Sequence, residues 1–470
     1  MAELYGNLGE YLSFNVSSFL KQQSLYLSFS VFSFLKQQIL YRNNKKSKLS
    51  KSFVHVYGRW DEVPYDMMGE ILGRLNIIDR IRLGGVCKSW RSIVKQKDIH
   101  SAPSVPWLLL PHAQNCNSLS FFSMSEGIVH SIKLPKAAQG GWCFGSSKGW
   151  LTIARGTQDD PQVFLLNPIS GVQRHLPSLT TIPSFKDFVD VAWDPNRITS
   201  FIRKIELSST DISKCIVAAI FRLPNILAVC KVGDKEWSVF QGPEEKGLSY
   251  FDIKFHEDKL YGLVEEEEEG SFESHTIELG SHEEAVVLKL IPNVSACAPF
   301  LNEEETEFIG DIGIQKDGLE SHLVESDGEL LIVSALMNIL FSVFGEEDEE
   351  EDEDRSLDFI YSKTTKYQVF KIGWSTSTFT RVANIGDKML FVSQSESSSL
   401  TAPHFNGFCG NRIYFSEDST DRYGLDAPVP LVCQESGVFY LDDDKIERSF
   451  PSINLPTQCQ MCWFTPQYPY

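Results

Sequence analysis

Residues 60–96 read WDEVPYDMMGEILGRLNIIDRIRLGGVCKSWRSIVKQ, and their apolar side chains recur with the period of a helix rather than that of a strand. Spacings of three and four residues give one broad apolar stripe, made of Met67, Met68, Ile71, Leu72 and Leu75. We expect this helix to begin just after Pro64, because proline lacks the N–H that the first turn leaves unbonded. The stretch therefore predicts a helical unit.

Two further short helices are predicted downstream. Asp79 is placed to cap a second helix through Ile81 and Leu83. The pair Gly84-Gly85 interrupts that helix, and the apolar stripe of a third one follows: Val86, Trp90, Ile93 and Val94. Three helices of this size enclose a very small core, and such a unit usually needs a partner or a covalent neighbour to be well ordered. We therefore interpret residues 59–100 as an interaction module.

The same residues resemble the F-box. The elements that fit its pattern in order and spacing are Val63-Pro64, Ile71-Leu72, Leu75, Asp79 and the run Val86-Cys87-Lys88-Ser89-Trp90-Arg91. The helix-weakening pair Gly84-Gly85 departs from that pattern. The resemblance implies docking onto a Skp-type adaptor, which in turn holds the cullin and RING subunits of a ubiquitin ligase. The residues that it places at the apolar adaptor interface are Val63, Pro64, Met68, Ile71, Leu72, Leu75, Val86, Cys87 and Trp90.

The helical period alone also fits a simpler interpretation. An amphipathic stripe is most often core, so these apolar residues can pack against one another and against the next domain. Cys87, between Val86 and Lys88, is expected to be a small buried hydrophobe rather than a nucleophile. Only the ordered motif favours the adaptor interface.

Beyond a short connection rich in Pro and Ser, the sequence is dominated by short stretches with the period of a β-strand. They are residues 163–166, 216–221, 226–230, 250–255, 330–333, 367–372, 389–392, 412–415 and 438–441. Turn residues separate them, and no long amphipathic helix intervenes. Residues 105–470 therefore predict a large, mainly β body that is too long for one sandwich. Blades of roughly 40 to 50 residues would give a propeller of six to eight blades.

This body also resembles the β-propeller-like domain of unknown function that follows the F-box in a large plant group. The stretches that carry the resemblance are SSKGWL (146–151), LLNPISG (165–171), YQVFKI (367–372) with Trp374, IGDKMLFVSQS (385–395), CGNRIYFSED (409–418), SGVFYLDD (436–443) and CWFTP (462–466). Together with the F-box pattern, they identify the chain as similar to plant F-box proteins with a C-terminal propeller.

The charge balance bears on the class of partner. Lys and Arg number 43 against 63 Asp and Glu, a net charge of -20, whereas proteins that bind the phosphate backbone need a basic surface. Nucleic acid is therefore not an expected partner. Much of the charge lies in the acidic loops 265–269 and 346–354, where like charges cannot pack. We interpret these loops as solvated insertions between blades, the alternative being a docking surface for a basic partner.

The N-terminal segment has a different character. Residues 11–23 (YLSFNVSSFLKQQ) recur fifteen positions later as residues 26–38 (YLSFSVFSFLKQQ). Two copies cannot form a solenoid, so residues 1–58 are predicted to be a duplicated, disordered extension. Its basic end, residues 42–51, is typical of a linker, or alternatively of a nuclear-import patch. No apolar run is long enough to cross a bilayer, so no membrane contact is expected.

The ten cysteines are scattered singly, which favours a reducing compartment and predicts a cytoplasmic or nuclear protein. Cys459 and Cys462 form one CxxC, but no second pair completes a zinc site, so neither a metal nor a cofactor is expected. No nucleophile elbow, phosphate loop or HExxH motif occurs.

The leading hypothesis is therefore a non-catalytic substrate receptor of a ubiquitin ligase, with the propeller holding an unknown target protein. Two alternatives stay open at this point. One is a propeller enzyme or carbohydrate-binding protein with a helical brace, and the other is an F-box protein that acts outside a ligase.

Overall fold

The structure of the chain is a computed structural model. It describes residues 68–69, 71–72, 75, 77–84, 86–94, 104–112, 116–157, 159–192, 198–222, 225–240, 248–265, 274–278, 285–292, 314–344, 356–405, 407–418, 432–448, 453–455 and 461–467. Several predictions fall outside these ranges: the N-terminal extension 1–58, the interface residues Val63 and Pro64, and the acidic loops except for Glu265.

The described helical unit contains two complete helices, α1 (Ile77–Gly84) and α2 (Lys88–Val94). Ahead of them, Met68 and Leu72 are also helical, as the first apolar stripe predicts. The predicted cap at Asp79 is wrong, because α1 begins at Ile77 and Asp79 lies within its first turn. A carboxylate in the first turn still interacts favourably with the partial positive charge of the helix N-terminus.

The β body consists of six sheets arranged as the blades of a propeller. The strands of blade I are β1 (Trp107–Leu109), β2 (Ser118–Ser123), β3 (Ile128–Lys133) and the last strand of the chain, β26 (Trp463–Phe464). Those of blade II are β4 (Trp142–Ser147), β5 (Trp150–Gly156), β6 (Pro161–Leu166) and β7 (Gln173–His175). Those of blade III are β8 (Ile202–Leu207), β9 (Ile216–Phe221), β10 (Ile226–Lys231) and β11 (Ser238–Val239).

The longest described strands lie in the second half of the ring, in blade V. The strands of blade IV are β12 (Ser249–His256), β13 (Lys259–Glu265), β14 (Ser274–Glu278) and β15 (Ala285–Pro292). Those of blade V are β16 (Ile314–Ser326), β17 (Glu329–Phe344), β18 (Ser356–Gly373) and β19 (Thr378–Val382). Those of blade VI are β20 (Lys388–Ser393), β21 (Ser397–Thr401), β22 (Arg412–Asp418), β23 (Val432–Tyr440), β24 (Lys445–Arg448) and β25 (Ile453–Leu455).

The six innermost strands surround the propeller axis. They are β26, β4, β8, β12, β16 and β21. Consecutive strands contact each other from β26 round to β21, and β20 of blade VI contacts β26. The ring is closed within blade I, where β26 pairs antiparallel with β1 through Trp107 opposite Phe464. The first and the last strand of the propeller therefore share one sheet. The prediction of a mainly β protein with a six- to eight-bladed propeller is confirmed, and the number of blades is six.

Apolar side chains fill the spaces between neighbouring blades. Between blades II and III, the rings of Phe201 and Phe221 stack with centroids 5.4 Å apart. The short helix α3 (Phe185–Ala192) adds Phe188 to the same cluster, 5.0 Å from Phe201. Because burial of large rings contributes much of the apolar free energy of folding, these contacts hold the blades against one another.

Candidate adaptor-binding site and propeller axis

The helical unit has an apolar cluster of its own. Its buried members are Met68, Leu72, Leu83, Trp90, Ile93 and Val94, and Leu75, Val86 and Cys87 pack against them partly buried. The cluster joins the first helical segment to α1 and α2. The stripe predicted from the sequence is therefore largely the core of this unit.

The sequence VCKSWR forms the junction between α1 and α2, and its residues bond back to the chain. The Val86 amide donates to the Leu83 carbonyl at 3.0 Å, and the Trp90 amide donates to Cys87 Sγ at 3.4 Å. Arg91 Nε donates to the carbonyl of Gly84 at 3.0 Å. These bonds satisfy carbonyl and amide groups that helix ends leave unpaired, so the run fixes the turn. Cys87 acts here as an acceptor near the start of α2.

The predicted adaptor residues occupy different environments. Met68 and Leu72 are 1% and 0% exposed and Trp90 is 5% exposed, whereas Ile71 is 42% exposed. Leu75, Val86 and Cys87 are half-buried. The adaptor contact of all nine residues stays a prediction. Among the members of the set that the structure describes, Ile71 has the apolar side chain most available to a partner.

Helix α1 also contacts the propeller, which the sequence analysis did not predict. Ile77 and Ile78 pack against the apolar cluster of blades I and II, which includes Trp107, Phe121 and Phe464. The sequence did contain a signal for this contact, because the adjacent residues Ile77 and Ile78 lie outside the first apolar stripe. One helix face cannot bury both that stripe and this pair. The helical unit and blade I therefore share an apolar contact.

Replacing Ile78 with Asp is expected to weaken this contact. Loss of a half-buried isoleucine should cost about 1 to 2 kcal/mol, measured as faster amide hydrogen exchange in α1 with an unchanged propeller core. Ile71→Asp is the matched control, because its side chain lies on the same helical unit but is exposed. Equal exchange in α1 of the Ile78→Asp variant and the unmodified chain would contradict the contact.

Charged side chains, rather than an open channel, occupy part of the propeller axis. We define the axial network as Ser146, Ser147, Lys204, Glu206, Asp252, Lys254 and Glu396, all of them buried. Lys204 Nζ lies 2.5 Å from Asp252 Oδ1, and Lys254 Nζ lies 3.2 Å from Glu206 Oε1. Charges this deeply buried are stable only when paired, so the network links neighbouring inner strands electrostatically.

Backbone groups of further blades complete the network. Asp252 Oδ2 accepts from the Leu323 amide of blade V at 2.7 Å, and Lys254 Nζ donates to the Ser397 carbonyl of blade VI at 2.8 Å. The Ser146 hydroxyl lies 2.6 Å from Glu396 Oε2 and also contacts the Trp463 carbonyl of blade I. Side chains and backbone groups of all six blades therefore meet at the axis.

Burial of Glu396 raises the pKa of its carboxyl above the ordinary value of 4.5, despite the nearby Ser146 hydroxyl and Lys254 ammonium. Burial lowers the pKa of Lys254, but the carboxylates of Glu206 and Glu396 outweigh it and hold that pKa above its usual value. A carboxyl with a raised pKa favours folding below its unfolded value and loses that contribution as pH rises through its folded value.

Glu396→Gln should therefore change the pH dependence of stability. The free energy of unfolding of the variant, relative to the unmodified chain, is expected to increase as pH rises from below 4.5 toward neutrality, because the amide does not ionise. Urea unfolding at a series of pH values measures this difference. A difference that stays constant across the series would show that Glu396 does not titrate in this range.

Side chains able to bind a metal ion lie apart from one another in the described residues. Nowhere in that part of the chain do three His, Cys, Asp or Glu side chains lie together as ligands. Of the CxxC pair, Cys459 lies outside the described residues, and burial raises the pKa of the Cys462 thiol to about 12. In the same part of the chain, no helix combines the length and the apolar character needed to cross a bilayer.

Two family models match the chain. Residues 121–440 match the KIB1-4 beta-propeller, which spans most of the ring from β2 to β23. The chain belongs to the KIB1-4 beta-propeller family. Residues 60–101 match the F-box domain and contain the helical unit. The chain is thus a plant F-box protein with a propeller, and the resemblance seen in the sequence is confirmed.

Named relatives of this KIB1-4 propeller protein come from Arabidopsis thaliana. At5g55150, named as an F-box protein, is 22% identical over 412 residues, which cover 87% of this chain and 97% of the relative. F-box protein At2g26160 is 22% identical over 374 residues, covering 76% of this chain and 96% of the relative. F-box/kelch-repeat protein At3g18720 is 31% identical over 143 residues, which cover 29% of this chain and 36% of the relative. The similarity to the first of these relatives is long enough to reach both the F-box and the propeller.

Proposed function

We propose that this KIB1-4 propeller protein is a substrate receptor of an SCF-type cullin-RING ubiquitin ligase. The F-box would bind a Skp-type adaptor and through it the cullin and RING subunits, and the propeller would hold a target protein. The observation that carries the proposal is the presence of an F-box match and a closed six-bladed propeller in one chain. The proposed place of action is the cytoplasm or the nucleus.

In this proposal the chain performs no chemistry on the target. Binding the target on the propeller places its lysines near the ubiquitin donor, and tethering raises their effective concentration. The contact of Ile77 and Ile78 with blade I supports this role, because it couples the adaptor-binding unit to the propeller. A fixed separation between the adaptor-binding unit and the propeller would favour ubiquitin transfer to target lysines at a defined distance.

Reconstitution tests the proposal. The full chain is mixed with a purified Skp-type adaptor, cullin and RING subunit, and the complex is analysed by size-exclusion chromatography. We expect a stoichiometric complex that forms with the full chain and not after deletion of residues 60–93. Adaptor binding that survives this deletion would contradict the F-box role.

A cellular measurement separates the proposal from its rivals. Removal of the protein should raise the level of the target that it binds. Adaptor binding without any such rise would favour an F-box protein acting outside a ligase. Turnover or retention of a small molecule or glycan by a chain that binds no adaptor would favour the enzyme or carbohydrate-binding alternative.

A further inference from the structure

An open pocket of about 380 Å³ lies between blades IV and V. Hairpin turns of both blades form it: β12–β13 contributes His256 and Lys259, and β18–β19 contributes Trp374. Tyr261 and Lys289 also line it, and they are direct partners on the adjacent strands β13 and β15. Side chains from distant parts of the sequence therefore converge on one opening.

The aromatic residues of the pocket form a platform. Trp374 is one of the few large apolar side chains exposed in the described residues, at 43%, and its ring centroid lies 5.2 Å from that of Tyr261. Lys289 Nζ lies 5.6 Å from the Trp374 ring centre and 5.9 Å from the Tyr261 ring centre. Cation–π contacts of this kind hold the ammonium group in place beside an exposed indole. An exposed tryptophan at the mouth of a pocket is typical of a recognition surface.

The charges of the pocket are incompletely paired. Lys371 is paired with Glu329 at 2.7 Å. Within the part of the chain that the structure describes, neither Lys259 nor Lys289 has a carboxylate at ion-pairing distance. The wall also carries a nearly buried imidazole, His256, which is 8% exposed.

One nitrogen of this imidazole lacks a hydrogen bond among the described residues. His256 Nδ1 finds no hydrogen-bond partner among the described residues, the nearest carboxylate being that of Glu325 at 3.9 Å. Glu257, exposed in the β12–β13 turn, is the acidic residue of the pocket without an ion pair among the described residues. Two ammonium groups without a carboxylate partner among the described residues, and an imidazole whose buried Nδ1 has no hydrogen bond there, thus line a pocket on a protein whose net charge is -20.

We propose that this pocket binds a phosphorylated serine or threonine of the target protein. A phosphate carries a charge of about -1.5 to -2 and three acceptor oxygens at neutral pH, which matches two unpaired ammonium groups and one imidazole better than a single carboxylate does. Lys259, Lys289 and His256 surround the phosphate, and Trp374 packs against the residue next to it. That the occupant is a target protein rests on the proposed function.

Peptide pools test this proposal on the full chain. Fluorescent peptides with four degenerate positions on each side of phosphoserine are compared with matched pools that carry serine or glutamate at the centre. We expect the phosphoserine pool to be retained at least about tenfold better than either of the others, as charge-assisted bonds to several donors imply. Retention of the glutamate pool equal to that of the phosphoserine pool would overturn the assignment to phosphate.

Variants locate the binding. Lys259→Met combined with Lys289→Met, and separately Trp374→Ala, should each reduce retention of the phosphoserine pool at least about tenfold. Glu257→Gln should raise retention, because it removes a like charge beside the phosphate. Lys235→Met, an exposed lysine in the β10–β11 turn, is the matched control and should change nothing. Unchanged retention by the double lysine variant, with an unaltered thermal transition, would overturn the proposal.

Adaptor binding is measured on the same preparations. Variants of the pocket should keep it, because the pocket residues belong to blades IV and V. Phosphoserine selectivity in a chain that binds no adaptor would support the phosphate-binding pocket and contradict the ligase role. Adaptor binding without phosphoserine selectivity would support the ligase role and contradict the phosphate-binding pocket.

Discussion

Replacing Lys204 with Met is expected to lower the free energy of unfolding of the propeller by about 3 to 5 kcal/mol, the typical cost of leaving one partner of a buried ion pair alone. Lys204 is 1% exposed and its ammonium lies 2.5 Å from Asp252. The substitution leaves a buried carboxylate of Asp252 without its counter-charge. Urea unfolding, followed by tryptophan fluorescence, measures the change.

Two variants make the interpretation of this loss specific. Adding Asp252→Leu to Lys204→Met should recover much of the lost stability, because a pair of apolar side chains can replace a buried ion pair at little cost. The control is Lys371→Met, since Lys371 and Glu329 form a pair at 2.7 Å in which both side chains are more than half exposed. That change should cost below about 1 kcal/mol, because water and salt screen exposed pairs. Similar losses for Lys204→Met and Lys371→Met would argue against an electrostatic role of the axial network.

The second large effect concerns the F-box. Ile71→Asp should weaken binding to a purified Skp-type adaptor by at least about 2 kcal/mol, or roughly 30-fold, because apolar anchors dominate such interfaces and a carboxylate buried there lacks a partner. Isothermal titration with the adaptor measures the affinity. Ile71 suits this test because it is 42% exposed, so its replacement spares the core of the helical unit.

The comparison variants for Ile71→Asp separate binding from folding. Leu72→Ala also lies in the motif, but Leu72 is fully buried, and its truncation should destabilise the helical unit itself by about 2 to 5 kcal/mol. Ile128→Asp makes the same chemical change at a side chain 49% exposed on β3 and should leave adaptor affinity unchanged. Full affinity in the Ile71→Asp variant would remove Ile71 from the interface.

Features of the fold and of the candidate site could be predicted from the sequence where the interacting residues lie close together in the chain. The run VCKSWR acts through bonds within a few residues, such as Arg91 to Gly84, so its pattern was visible in the sequence. The short strands were likewise found, because residues 216–221 and 226–230 are neighbours in one sheet. Ring closure by β26 could be expected only from the family resemblance, since the pairing partner is the first strand of the propeller.

The axial network was missed for a physical reason. In the strand IRKIEL, Lys204 and Glu206 alternate with apolar residues, which in most sheets indicates one face in water. The inner strand of a propeller has no such face, because the other blades surround it. The pocket between blades IV and V escaped notice because His256, Lys289 and Trp374 come from three separate hairpins. In the sequence, Trp374 stands out only as part of the family resemblance.

The pairing of β26 with β1 has a consequence for synthesis of the protein. A ribosome makes β1 first, yet its partner strand leaves the exit tunnel only after the other five blades have been translated. During that time blade I presents an unpaired strand edge, which is the kind of surface that promotes association between nascent chains. Because closure must bring together the most distant strands of the propeller, we expect it to be the slow step of folding and the step at which molecular chaperones act on this chain.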